Sequence, residues 1–552
     1  MTFKNLWFLF LFLLLGACAS KMKNQMKAYR ESYSSGKFEE AKGLLKKSVL
    51  KKDKKSVLLW HLENGSVALS LNDPDGAISH FQTALDLIDK LFTTKLSSKA
   101  ASFLINDASD EFYGASYERS YTYYFLAKSY YAKYLKTKNP QDLQGARGTI
   151  LAWDSYFSEL QRSATYKTLY HTDLMLKIFG GEIHEVSDIR NDKQISLQLY
   201  KDALTILDNE GGTFSVFNKK SSDFIKEYED SIKAGKSAPV KLYDKTLAYE
   251  DLKDFLHYKI LSVTKDVRGF DFQAQAKALK PDAAILKRVE KPANAVFVIE
   301  EGLIPAKVGK VFNFGIKGAM NAVSNPGAKA FIATVGTEVI TVFAMNKLGM
   351  IPGQTTNPGS FIFAHDLTKL AVQEAAIEFE LPMIEVVPPV QRMALYVLNE
   401  KGVVVSKSPL PIVSENGDIA RLVLEEDVVA RYVKTGTRVA IRHIIAIVAA
   451  MQVYQKLKGG DNGADFIAKA AAMATYVGSS KGIAALEKAD TRYWSTLPQS
   501  LRMTELNLPP GNYSIGLAMI GDKIIPESPS KILGNVTVEK TGKSLHHLRF
   551  MP

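Results

Sequence analysis

Hydrophobic positions change their period several times along this chain, and each change marks a boundary. After one early lysine, Lys4, an unbroken apolar run covers residues 6–15. From about residue 28 to 232 apolar residues recur at the three- and four-residue spacing of helices, broken by turns such as Asn72-Asp73-Pro74-Asp75-Gly76. A lysine-rich stretch near 233–241 follows, then a helix ending around Lys265. The period then drops to two. Residues 295–300, 312–316, 376–382 and 393–398 alternate between Gly or Pro boundaries and predict strands. A long helical section over 419–458 and an alanine-rich one over 464–476 come next. Strands return at 508–515, where a Pro-Gly turn feeds an alternating segment, and at 533–538. The pattern predicts an α+β multidomain chain, an N-terminal all-α solenoid followed by a mixed α/β C-terminal domain with an antiparallel or mixed sheet and long helices. The boundaries read 1–17, 18–27, 28–232, 233–290 for a helical linker region, and 291–552 for the mixed domain.

The run at 6–15 suits the core of a secretory signal peptide and is too short to span a bilayer comfortably. It ends in Leu15-Gly16-Ala17-Cys18, which resembles the lipobox of bacterial lipoproteins. Small residues there admit the lipoprotein signal peptidase, and the Cys18 thiol would take a diacylglycerol thioether. Cys18 is also the only cysteine of the 552 residues. The expectation is a leader over 1–17, an acylated tether over 18–27, and two or three acyl chains that make the anchor effectively permanent. Ala19 and Ser20 lack the aspartate that resembles an inner-membrane retention signal. The expected location is the outer membrane, facing the periplasm.

Two other apolar stretches raise the question of a membrane span. Residues 444–451 are too short and follow Arg438, Arg442 and His443. Residues 328–350 carry Lys329, Glu338, Lys347 and glycines, which fit a buried strand and helix better than a span.

Within the helical half, Gly36-Lys37-Phe38-Glu39-Glu40-Ala41 followed by Leu45 resembles the second half of a tetratricopeptide repeat. Gly65, Ala68, Ala77, Phe81 and Ala84 fall at the spacings of a further repeat. Ala41 and Ala77 lie 36 positions apart, near the 34 of this repeat. Two helices of a hairpin approach closely only where one offers Gly or Ala, and a large residue one turn later fills the remaining gap. A looser hairpin carries Phe125, Ala127 and Tyr130, then Gln144, Ala146 and Ile150, and another helix spans 195–207. A TPR-like solenoid is therefore expected over 28–232. Tyr117, Tyr121 and Tyr124 sit at i, i+4 and i+7, and Tyr130 and Tyr134 continue the aromatic density. The stripe reads either as packing between helices or as a partner-binding groove.

Charge changes this picture little. Loss of the leader removes one of 70 basic residues against 58 acidic ones, so the net charge falls from +12 to about +11. No zinc-finger, RRM or KH pattern accompanies it, and no nucleic-acid partner is expected. With no second cysteine the exported chain must be held by burial alone.

Motifs for catalysis fail on spacing. In Gly511-Asn512-Tyr513-Ser514-Ile515-Gly516 an extra residue before the serine breaks the nucleophile-elbow pattern. His184-Glu185 lacks the second helical histidine of a zincin, and Gly309-Lys310 lacks a phosphate-cradling loop before it. His546-His547 on a strand would point to opposite faces. No cofactor, no metal and no enzyme activity are expected.

Several segments carry a more specific likeness. Asn106-Asp107 with Tyr117-Glu118-Arg119, Glu301-Gly302-Leu303-Ile304-Pro305, Ala489-Asp490-Thr491-Arg492-Tyr493-Trp494-Ser495-Thr496-Leu497-Pro498, and Leu508-Pro509-Pro510-Gly511-Asn512-Tyr513 occur in that order. Together they resemble an uncharacterised family of bacterial tetratricopeptide-type lipoproteins. The resemblance implies a repeat region joined to a mixed C-terminal domain, with no established activity. Members often stand beside lipoproteins that activate penicillin-binding proteins, which implies envelope or peptidoglycan assembly. Within the most distinctive segment, Asp490 and Arg492 are expected to form an ion pair covered by Trp494, a structural corner holding the alanine-rich helix to the next strand.

The leading functional expectation is a membrane-anchored, noncatalytic interaction scaffold or regulator, whose partner would be an envelope protein such as a peptidoglycan synthase or its activator. The alternatives are an envelope hydrolase with an unrecognised site and a component of an outer-membrane secretion or adhesion assembly.

Overall fold

In a computed structural model of the chain, residues 24–97, 110–162, 170–208, 243–313, 378–384, 391–426, 462–521 and 525–552 are described, a few single positions aside, with scattered positions between 427 and 461. Cys18, Asn106-Asp107 and the apolar stretch 328–350 lie outside the described residues.

The N-terminal half is helical. Helix α1 spans 24–34, followed by α2 (Phe38–Lys47), α3 (Val49–Lys52), a 3-10 turn (Lys54–Ser56), α4 (Val57–Ser70), α5 (Pro74–Ser97), α6 (Ser116–Thr137), α7 (Pro140–Arg162), α8 (Leu174–Val186) and α9 (Arg190–Asp208). Neighbours in sequence are neighbours in space: α4 packs on α5, α5 on α6, α6 on α7 and α8 on α9. The small-residue rule holds at Gly65, where any Cβ would stand 2.6 Å from the ring of Phe81 on the facing helix. It recurs at Gly181, where a Cβ would stand 2.4 Å from Tyr200. Gly65→Ala is therefore a contest between helix propensity, which favours alanine by about 1 kcal/mol, and overpacking against a fully buried ring. Overpacking should win. We expect a net loss of about 1–3 kcal/mol, read as a lowered melting temperature, and an unchanged or raised one would refute the close approach.

The region expected as a helical linker holds three helices, α10 (Tyr243–Thr264), α11 (Phe272–Leu279) and α12 (Ala283–Val289). Leu252, Phe255, Leu256, Ile260 and Val263 of α10 join the same apolar core as α8 and α9.

Among the described residues the C-terminal half has ten strands: β1 (Ala295–Glu301), β2 (Lys307–Asn313), β3 (Glu378–Ile384), β4 (Met393–Leu398), β5 (Val404–Pro409), β6 (Ile412–Glu415), β7 (Ser500–Leu506), β8 (Gly511–Met519), β9 (Lys531–Val538) and β10 (Ser544–Phe550). Helices α13 (Asn416–Glu426) and α14 (Asn462–Leu486) lie between β6 and β7. One sheet runs β10-β1-β7-β6 and is mixed, since β1 pairs parallel with β10 and antiparallel with β7. A second, β5-β4-β8-β9, is wholly antiparallel, and β2 pairs with β3 alone.

Strand β1 shows how the layers meet. Its side chains alternate between faces. Val296 and Val298 belong to the core shared with the N-terminal helices, whereas Ala295, Phe297 and Ile299 pack toward Leu395, Val397, Ile515 and Leu517 of the second sheet. Helices, mixed sheet and antiparallel sheet thus stack as three layers, and the N-terminal helices are covered by the C-terminal half of the same chain.

Candidate functional site

Tyr121 and Tyr124 and the segment carrying Asp490, Arg492 and Trp494 converge on the face between the helices and the mixed sheet. After α14 the chain crosses residues 487–499 without helix or strand and enters β7. This stretch lies along α1, α4 and α6.

Arg492 grips Asp490 through Nε (2.9 Å) and Nη2 (2.8 Å). Its remaining donors reach Lys55 O at 3.2 Å, Ser56 Oγ at 3.3 Å and Asp110 O at 2.8 Å. Burial opposes the charge on Asp490, yet the Arg492 hydrogen bonds and the nearby Lys307 and Arg492 charges hold its carboxyl below its ordinary range. The expected ion pair is present. Trp494 does not cover it. The indole instead enters the helical core, with its ring centroid 5.1 Å from Phe125 and 5.8 Å from Phe81. Its Nε1 donates to Ser66 Oγ at 3.0 Å and Thr496 Oγ1 at 3.1 Å. The corner therefore holds the crossing segment to the N-terminal helices, because a large apolar ring gains more from a fully enclosed site than from lying over a pair that already has three further partners.

Two buried carboxylates receive the backbone of this segment. Glu118 of α6 accepts the Trp494 N–H at 2.6 Å. Glu63 of α4 accepts the Ser495 N–H and hydroxyl, both at 2.7 Å, and the Thr496 hydroxyl at 2.6 Å, while Tyr29 of α1 donates to it at 3.1 Å. Burial raises both pKa values, against which these hydrogen bonds stabilise the charged form. Arg30 adds bonds to Tyr493 Oη and Ile304 O, each at 2.6 Å.

The tyrosine stripe resolves into packing. Tyr117, Tyr121 and Tyr124 are buried, and they do not line an open partner groove. Tyr121 donates to Ser414 Oγ at 2.6 Å, Tyr124 donates to Glu300 Oε1 at 3.0 Å, and Trp153 packs against both rings. Tyr130 and Tyr134 are half-buried at the edge of the same core, Tyr130 accepting from Gln82 Nε2 at 2.8 Å. The physical reason is that the i, i+4, i+7 face of α6 looks at the sheet.

Beside this seam is a cluster the sequence did not reveal. Glu182 and Glu185 of α8, Lys259 of α10, Glu505 of β7 and Lys543 ahead of β10 meet in the interior. Lys259 Nζ lies 2.8 Å from Glu182 and from Glu505 and also bonds Glu185. Lys543 Nζ lies 2.5 Å from Glu505, 2.9 Å from Glu185 and 3.0 Å from Glu182. Three carboxylates this close could seat a divalent cation, since one oxygen of each falls within 4.8 Å of the others. Here both ammonium groups touch all three acids and already supply the positive charge. Burial pushes Glu182 up to about 7 despite the two lysines, whereas for Glu185 the same lysines outweigh burial and hold it down to about 2. A second charged knot joins Glu300 to Lys128, to Arg549 at 3.1 Å and to Tyr124. His546 and His547 occupy successive positions of β10, and burial pushes them down to about 4 and about 3. His61 and His80, 19 positions apart, are brought to 3.1 Å between Nδ1 atoms by the α4–α5 hairpin. No period or motif could have paired them without that hairpin.

No family model, no curated protein and no solved structure matches this chain. Among the described residues no helix is long and apolar enough to cross a membrane.

Proposed function

We propose that the protein is a lipid-anchored component of the bacterial envelope that acts without catalysis, as a rigid interaction platform for envelope or peptidoglycan assembly. The observation that carries this reading is the self-occupied face of the helices. Segment 489–498 is bound by α1, α4 and α6 much as a ligand peptide would be, through an enclosed indole, two buried carboxylates and the Arg30 bond to Tyr493. The buried charged groups nearby are matched to one another, which supports a structural role for them. Hairpin stacking with Gly65 against Phe81 supports a TPR-like ancestry for the helices, closed on one side by the C-terminal half. Partners would then meet the outer helical surface. The lipobox-like Leu15-Gly16-Ala17-Cys18 supports acylation and an outer-membrane, periplasm-facing location.

Crosslinking in intact cells followed by capture should enrich peptidoglycan synthases or their activators over other envelope proteins, and Cys18→Ala should move the protein out of the membrane fraction. Absence of any such enrichment would remove the scaffold reading. Turnover of purified sacculi by the protein would replace it with the hydrolase.

A further inference from the structure

Basic residues occur along the whole chain, but six of them crowd one short stretch, which the structure places at one end of the helical half. Lys46 and Lys47 close α2, Lys51 and Lys52 close α3, and Lys54 and Lys55 form the 3-10 turn, six lysines in ten positions. All six are exposed. None makes an ion pair among the described residues. The one acid among them, Asp53, is turned onto its own turn, accepting from Lys55 N at 3.1 Å and Ser56 Oγ at 2.6 Å.

Two sets of contacts fix where this end lies. Gln25, at the start of α1, accepts the Val49 N–H at 2.9 Å, so the junction of α2 and α3 sits beside the first turn of the described chain. Tyr29 meets Glu63 and Tyr33 meets Ser70, so α4 runs in the same direction as α1 and its start, next to Lys54 and Lys55, lies at that end too. Residues 19–23 are all that separate Cys18 from α1, a reach of at most about 20 Å. Trp60 lies under this cluster, half-buried, with Lys51 Nζ 5.8 Å from its ring centroid.

From this placement we infer that the α2–α3 end is a docking face for the anionic phospholipid headgroups of the bilayer, which orients the whole body on the membrane. The inference rests on the lipid-anchor reading for its geometry, since the tether emerges at the lysine face. Headgroup phosphates complement unpaired ammonium groups, and a lysine at an anionic surface multiplies partitioning by about five. The anchor supplies residence, and the lysines supply orientation.

The test uses the mature chain from position 18 carrying Cys18→Ala, which keeps every contact described above and cannot be acylated. It should cosediment with vesicles of phosphatidylcholine mixed with phosphatidylglycerol, weakly with phosphatidylcholine alone, and less at high salt. Reversal of four lysines, Lys46→Glu with Lys47→Glu, Lys51→Glu and Lys52→Glu, should weaken binding tenfold or more with an unchanged circular dichroism spectrum. A control reversing Lys277, Lys287, Lys291 and Lys540, exposed on other faces, should leave binding within about twofold. If the four replacements unfold the chain, Lys→Gln at the same positions gives the same comparison with a smaller loss. No binding to the mixed vesicles, equal binding to both vesicle types, or equal loss in both variants would overturn the inference. Failure of the anchor reading is read separately, as the absence of acyl mass on Cys18 in protein taken from membranes.

Discussion

Lys259→Met should cost about 3–5 kcal/mol of stability, the range for breaking a buried ion network by removing one partner. Lys259 is fully enclosed and touches Glu182, Glu185 and Glu505, so its loss leaves three carboxylates facing Lys543 alone. The penalty is set by the charges left behind and should depend on pH. In the intact protein Glu185 is held down to about 2, so its contribution is complete above its ordinary range and is lost as pH falls toward 2. Glu182 has the opposite sign. Pushed up to about 7, it holds a proton that the unfolded chain releases, and it costs stability as pH rises from its ordinary value through 7. Without Lys259 all three acids bind protons more readily, so the gap between variant and parent should narrow on acidification from pH 8 to 5. Chemical denaturation at the two pH values measures this. A gap that stays constant would show that the cost comes from lost packing, and one below about 1 kcal/mol would place the lysine in a solvated site.

The second large effect is expected at Trp494→Ala. The indole is wholly buried between Phe81, Phe125 and the crossing segment, and its removal leaves a cavity together with two hydroxyls, on Ser66 and Thr496, deprived of their donor. Large-to-small changes of this kind cost about 3–5 kcal/mol. Trp494→Phe should recover much of the packing and none of the Nε1 hydrogen bonds. Because the indole fastens residues 487–499 to α4 and α6, hydrogen exchange should rise in those elements in the alanine variant and less so in β8 and β9, which pack in the other core. Uniform acceleration across both cores would mean that the segment is no separate fastening. Arg492→Ala should fall short of either change, since its pair with Asp490 retains partial exposure to solvent.

Much of the secondary structure was legible from local pattern. Residues 295–300 and 393–398 are the expected strands β1 and β4, apolar nearly throughout and buried on both faces; the segment read as 195–207 is α9, and the alanine-rich run is α14. Of the expected strand at 312–316, residues 312 and 313 belong to β2 and the rest lie outside the described residues. Strands β5, β6, β7 and β10 went unread. β6 has only four residues, all buried, and the alternation of β10 is interrupted by His546-His547. The Asp490–Arg492 pair was legible because its partners are two residues apart. The seat of Trp494 was not, because Ser66, Phe81 and Phe125 lie hundreds of positions away.

By itself the sequence determined what is local: helical period in the first half, alternation in the second, small residues where hairpin helices touch, and a lipobox-like segment at Cys18. Each depends on spacings of a few residues, over which backbone geometry alone decides which side chains share a face. Tertiary structure decided what those faces meet. It paired β1 with β10 across some 250 positions, turned the tyrosines of α6 inward, and brought acids and lysines from residues 182 to 543 into one cluster. A face is a local property, but its occupant is fixed only when distant segments compete to bury the same apolar surface.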